Sequence, residues 1–167
     1  MKNIIRHDSM RGWFSYELYK RMKRNKNIYV LTGDLGFGML DYIKKDFPKR
    51  FINVGAAEHS MVNIAVGLAL ENKIVFVYSI TTFLIYRAFE SIRNYLNHEN
   101  ISVKLIGGGR NNDYEKLGFT HCCPDVKLFL DNFKNIVQFW PSDKKEISQI
   151  LSEIINNNKP CFLSLTR

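Results

Sequence analysis

Cysteine is scarce in this sequence and occurs in an odd number: Cys122, Cys123 and Cys161, with no CxxC spacing. That pattern suggests neither a zinc site nor a disulfide framework, and it suits a reducing cytoplasm. No apolar run exceeds strand length, so no membrane span is expected. The opening segment, Met1-Lys-Asn-Ile-Ile-Arg-His-Asp-Ser9, has neither an apolar core nor a small-residue cleavage site, which argues against a secretory leader. Internal repeats, low-complexity tracts and linker-like stretches are also missing, so residues 1–167 are expected to form one domain.

What is present is a globular composition, with 46% hydrophobic and 24% charged residues. The 24 Lys+Arg against 16 Asp+Glu leave a formal charge of +8, a balance that suits nucleic acid or a phosphorylated small molecule. The basic residues are nevertheless scattered among helical apolar positions. No nucleic-acid-reading motif accompanies them, so they read as solvated faces and no nucleic-acid partner is expected.

Helix and strand patterns alternate along the whole chain. Phe14, Leu18 and Met22 recur at helical spacing and predict a helix over 10–25. Further helices are expected at 40–47, 57–71, 82–96, 124–132 and 142–156, and β-rich runs at 27–32, 51–54, 74–78, 101–106, 136–139 and 160–165. The polar stretch 110–120 reads as an active-site loop. Strands that look buried on both faces, alternating with helices, imply an α/β fold: a doubly wound, mostly parallel sheet with helices on both faces.

One stretch is more informative than the rest. The strand-like Arg50-Phe-Ile-Asn-Val54 runs into small residues, then Glu58, then an apolar helical pattern through Met61, Ile64, Ala65 and Leu68. Glu58 therefore falls in the first turn of a helix just past a strand end, where open α/β sheets bind ligands. A carboxylate there also serves as a structural partner of the helix dipole. Phe83, Tyr86 and Phe89 lie three residues apart on a helix or its entry turn, either as an aromatic stripe for the core or as a surface on which a heteroaromatic ring can stack.

These motifs, in this order, resemble the pyrimidine-binding domain of transketolases and related thiamine-diphosphate enzymes. Phe47-Pro-Lys-Arg-Phe-Ile-Asn53 is similar to the family's lead-in to its glutamate. Thr82–Arg93 resembles the aromatic segment that encloses the aminopyrimidine, Gly118-Phe-Thr-His121 the substrate-loop GxTH, and Trp140-Pro-Ser-Asp143 the opening of the next helix. Leu165-Thr-Arg167 resembles the domain's end.

The resemblance implies roles. Glu58 would hydrogen-bond N1′ of thiamine diphosphate and promote loss of the C2 proton. Phe83, Tyr86 and Phe89 would enclose the ring, and Asp34, in Thr32-Gly-Asp-Leu-Gly36, would lie beside it. His121 would donate to a substrate oxygen or shuttle protons, and Arg11 and Arg167 would bind a phosphate.

Two departures accompany the likeness. Leu117 stands where transketolases usually carry an aspartate that contacts a donor hydroxyl. The loop before it lacks the usual phosphate-contacting histidine, for which Arg110 or Asn111 could substitute. No metal ligands are evident, and the family's Gly-Asp-Gly…Asn diphosphate motif is absent. The expectation is therefore a cytoplasmic subunit that transfers a two-carbon ketol or related acyl unit between small substrates. A separate subunit would hold the diphosphate and Mg2+ (or Ca2+), in a homodimer or heterotetramer. A subunit of a 2-oxoacid decarboxylase or dehydrogenase, and a non-catalytic regulatory subunit on the same fold, remain alternatives.

Overall fold

Every neighbouring strand pair runs parallel, so each return along the chain has to cross over the sheet. The computed structural model describes residues 7–167; residues 1–6, most of the segment read for a leader, lie outside the described residues. The elements are α1 (Met10–Arg24), β1 (Ile28–Thr32), α2 (Asp41–Asp46), β2 (Phe51–Asn53), α3 (Glu58–Leu70), β3 (Ile74–Ile80), α4 (Thr81–Arg87), α5 (Phe89–Ser91), β4 (Val103–Gly108), α6 (Val126–Leu130), β5 (Val137–Phe139), α7 (Ile147–Asn156) and β6 (Cys161–Leu165). They build a six-stranded sheet in the order β2-β1-β3-β4-β6-β5.

Alternation along the strands feeds two cores. Phe76 and Tyr78 of β3 pack with Phe14, Leu18 and Met22 of α1 and with Leu151 and Ile154 of α7. Val75 and Val77, on the opposite face, pack with Met61, Val62 and Ala65 of α3 and with Leu84 and Ile85 of α4. Helix α1 begins where Ser9 accepts a bond from the Gly12 amide, and its apolar positions recur every four residues, as the sequence pattern anticipates. Among the described residues no helix is long and apolar enough to cross a membrane.

Winding sets the position of the site. From β1 the chain moves outward through α2 to β2, then returns through α3 to β3 on the other side of β1. Helix α2 packs on one face of the sheet and α4 on the other. The loops leaving β1 and β3 therefore diverge and open a crevice at the carboxyl ends of these strands.

Two elements differ from the sequence expectation. The helix expected over 82–96 is broken at Ala88 (φ −104°, ψ 16°) and resumes as the single turn α5 and a π-helical segment, Ile92–His98. Ala88, Ile92 and Leu96 are all fully buried at spacings of four, a spacing that an ordinary helix and the wider π turn both keep on one face, so the apolar line stays on the core through the change of backbone. Strand β4 runs through Gly107 and Gly108 instead of ending before them. A Cβ on Gly107 would lie 2.5 Å from Thr81 Oγ1 and 2.9 Å from the Phe162 ring, so glycine here permits close packing within the strand.

At the amino end of the sheet, Lys104 is buried with its ammonium bonded to Ser102 Oγ (2.8 Å), Asn157 O and Oδ1 (3.0 Å each) and Lys159 O (2.6 Å). Burial lowers its pKa. Lys104→Met keeps the stem but leaves these oxygens without their donor, and is expected to destabilise the fold by about 1–3 kcal/mol. Urea unfolding should show a lower midpoint at unchanged slope; an unmoved midpoint would mean that the Lys104 bonds add nothing net to stability.

Candidate functional site

The last residues of β1 and β3 and the first turn of α3 meet in the crevice. Glu58 opens α3 and is only 2% exposed. Its Oε1 accepts a bond from Ser79 Oγ at 3.0 Å, and its Oε2 accepts one from Arg87 Nη1 at 2.9 Å. Both bonds cross to neighbouring elements, β3 and α4. Gly33, just past β1, lies so close that a Cβ there would come within 3.4 Å of Glu58 Oε1. The carboxylate is thus enclosed, at a helix amino end, with a cation beside it.

The aromatic segment is divided by the break at Ala88. Phe83 and Tyr86 line a cavity of about 570 Å3 together with Thr82, Arg87, Phe119 and Cys122. The Arg87 guanidinium carbon lies 3.9 Å from the Phe83 ring centroid. Tyr86 makes an edge contact with Phe129, and burial with a bond to Asp125 pushes its phenol pKa upward. Phe89 is absent from the cavity lining. It packs against Phe129 and Phe133, at ring centroids of 5.1 and 6.0 Å.

The loop after β4 supplies the opposite wall. Its base is clasped by an antiparallel bridge between Asn111 and Cys123, and it carries two 3-10 turns, Glu115–Leu117 and Phe119–His121. The second turn brings His121 edge-on to Phe83, at 4.9 Å between centroids, while its Nδ1 lies 3.1 Å from Thr120 Oγ1. Leu117 is 57% exposed on the first turn. Asp34 sits in left-handed backbone (φ 57°) and is held by Asn53, whose Nδ2 donates to Asp34 Oδ1 and whose Oδ1 accepts the Asp34 amide. Its place directly after Gly33 puts it at the crevice rim.

Arg11 and Arg167 converge although 156 positions separate them in sequence. Arg11 Nη1 donates to Tyr114 Oη at 2.9 Å, and the Arg167 guanidinium lies 5.4 Å from the same ring centroid. Arg11 Nε is buried without a hydrogen-bond partner among the described residues, which suits a site with a remaining acceptor to recruit. Arg110 is otherwise engaged: Nε and Nη2 donate to Ser164 Oγ and O, and Nη1 to Pro141 O. These bonds tie the loop to β6 and to the segment after β5, and they count against Arg110 standing in for the missing histidine. The Asn111 backbone, at φ 48°, forms the clasp, its carbonyl accepting the Cys123 amide at 2.8 Å.

Sequence reasoning missed Ser79, Arg87 and Tyr114. Ser79 was signalled only by a polar residue within an apolar strand. The i, i+4 spacing of Phe83 and Arg87 permits their contact, and Tyr114 is the one aromatic between Gly109 and Leu117. Among the described residues no group of three or more His, Cys, Asp or Glu is arranged to hold a metal. A buried carboxylate, a half-buried phenyl face and a mostly apolar cavity fit a flat heteroaromatic ring with a donor at its edge.

Comparison with known proteins agrees with this geometry. Residues 8–167 match the family model described as transketolase, pyrimidine binding domain. A Methanocaldococcus jannaschii protein described as a transketolase C-terminal section is 30% identical over 163 residues, covering 96% of this chain and 51% of the relative. An Actinobacillus succinogenes protein described as a subunit of an apulose-4-phosphate transketolase is 38% identical over 121 residues, covering 72% of this chain and 39% of that protein. A solved structure described as a split gene transketolase, inactive beta4 tetramer, aligns with a TM-score of 0.84 at 26% identity, covering 95% of this chain and 51% of that one. The chain thus spans about half, or less, of the proteins it matches.

The bond from Ser79 to Glu58 is fully buried. Ser79→Ala, which leaves an oxygen of a buried carboxylate short of a donor, should lower stability by about 1–3 kcal/mol. A double-mutant cycle with Glu58→Gln reads the coupling, and coupling near zero would mean that the bond does not position the carboxylate.

Proposed function

This chain belongs to the transketolase pyrimidine-binding domain family, and from that premise we propose that it is the pyrimidine-binding subunit of a split, thiamine-diphosphate-dependent transketolase-like transferase. The observation that carries the reading is Glu58: a buried carboxylate at the point where the winding reverses, joined through Arg87 to the Phe83 face. The whole of 1–167 would act as one domain. The diphosphate end of the cofactor and its Mg2+ (or Ca2+) would be held by a second chain, in a homodimeric or heterotetrameric assembly. The subunit and C-terminal-section names of the relatives support such a division. A place in carbohydrate metabolism and in the cytoplasm goes with this reading.

When bound, thiamine diphosphate supplies a nucleophilic carbon and an electron sink for breaking and forming a bond next to a carbonyl. The residues of this chain manage position and protons. Glu58 holds a proton at the ring nitrogen that it faces, with Ser79 fixing the carboxylate's orientation. Phe83 and Tyr86 cover the ring and exclude water, and Phe89 supports them from behind through Phe129. Asp34 borders the ring's entry. His121, held against Phe83, donates to a substrate oxygen. Arg11 and Arg167, gathered on Tyr114, orient a phosphate.

Leu117 offers no polar atom where a donor hydroxyl would be read, so the preferred donor differs from an ordinary ketose phosphate near the cleaved bond. The same observation favours a 2-oxoacid donor as the second reading.

Two experiments test the proposal. The purified chain alone should not bind thiamine diphosphate at micromolar concentration with magnesium, whereas a partner bearing the diphosphate-binding domain should create binding; tight binding by this chain alone would overturn the division of labour. In the assembled complex, Glu58→Gln should remove most of the C2-proton exchange of the cofactor, a loss of about 100-fold or more. Exchange at the wild-type rate would return Glu58 to a purely structural role.

A further inference from the structure

The carboxylate and the ring face assigned to the cofactor's pyrimidine are both engaged by one side chain of this protein. Arg87, in the last turn of α4, donates from Nη1 to Glu58 Oε2 at 2.9 Å while its guanidinium lies 3.9 Å from the Phe83 ring centroid. It also lines the cavity that holds Phe83 and Tyr86. A guanidinium is flat, delocalised and cationic, with N–H donors along its edge. A 4-aminopyrimidine protonated on its ring nitrogen is flat, cationic and edge-donating in the same way. Two such groups cannot stack on one phenyl face together, and a ring that stacks there reaches the carboxylate only through the space the guanidinium fills.

We propose that Arg87 is a resident placeholder for the aminopyrimidine ring: it occupies the pyrimidine subsite and swings out when the ring enters. The proposal rests on the assignment of Glu58 and Phe83 to that ring. Burial explains why a placeholder is useful. Glu58 is almost sealed from water, and a buried carboxylate without a counter-charge is strongly destabilising. Exposure explains why this placeholder can leave. The Arg87 side chain is 48% exposed against 1% for its partner, so its outward path leads directly into solvent. The ion pair therefore supplies the buried carboxylate with a hydrogen-bonded partner and keeps the cavity shaped in the free chain, while competing with the ring for the carboxylate and the phenyl face. Ring binding is weakened by whatever Arg87 must give up.

The test uses the full chain and one probe, 4-amino-5-hydroxymethyl-2-methylpyrimidine, titrated while the arginine side-chain and aromatic ring signals are followed by NMR. In the wild type, saturation should move the Arg87 side-chain resonance toward that of a solvated arginine as the Phe83 and His121 ring signals shift. Arg87→Gln should bind the probe at least 10-fold more tightly, and Arg87→Lys, whose compact ammonium cannot cover the phenyl face, about 3-fold more tightly. The lysine variant keeps a positive charge beside Glu58 and guards against failure of the glutamine variant to fold. Equal or weaker binding by both variants, or an Arg87 resonance that stays in place at saturation, overturns the placeholder. Glu58→Gln separates the underlying site reading. If it abolishes binding while the Arg87 variants do not strengthen it, only the placeholder fails. If the probe binds equally well without the carboxylate, both fail; if it binds none of these proteins, the placeholder fails, because a subsite held open by Arg87 should admit the ring once Arg87 is replaced.

Discussion

A carboxylate sealed from water has to be answered by donors, and the architecture around the crevice follows from answering Glu58. Its position is set by the chain's path: β2 ends, the backbone turns through Gly55, and α3 starts with the glutamate already facing the ends of β1 and β3. The donors come from the next strand and the helix after it, Ser79 and Arg87. Gly33 gives the carboxylate its room on the third side. A sheet with a different order would separate these groups, because only the placement of β3 beside β1 brings Ser79 and Gly33 to the same end of the crevice. The ion pair is local in space and long-range in sequence, so it depends on the fold it helps to define.

Around that centre the chain gathers two kinds of chemistry. Phe83, Tyr86 and His121 form a flat, mostly apolar wall suited to a ring. Arg11, Tyr114 and Arg167 form a cationic group suited to an anion. The loop from Arg110 to His121 joins them, contributing Tyr114 to one and His121 to the other. A change in this loop therefore bears on ring and anion together, whereas the strands beneath contribute mainly distance and direction.

The fold class was legible because hydrophobic period reports which residues face a core, and the parallel sheet follows from strands buried on both faces. Period does not report hydrogen-bond class. The apolar line of Ala88, Ile92 and Leu96 looks like an ordinary helix, although the backbone there is π-helical. The same limit bears on one aromatic: on an unbroken helix Phe83, Tyr86 and Phe89 would share a surface, whereas past the break at Ala88 Phe89 packs on Phe129 and Phe133. Glu58 and His121 could be named from motif and order. Ser79, Arg87 and Tyr114 could not, because their residue types are ordinary and their significance lies in contacts with partners 21, 29 and 103 positions away. Arg110 shows the converse: its charge suggested a ligand contact, but three bonds to the segments before and after it in space commit it to structure.

The clasp between Asn111 and Cys123 has a consequence for how such a domain changes over generations. The loop base is fixed again by the bond from Thr81 Oγ1 to Gly109 O. Between these anchors, Leu117 and Phe119 stand 57% and 90% exposed, so replacing them disturbs little of the packing that stabilises the sheet. Mutational drift at the tip is consequently decoupled from foldability. A lineage can try many loop tips at nearly constant stability, and its substrate range can diverge while Glu58 and its strand ends stay as they are.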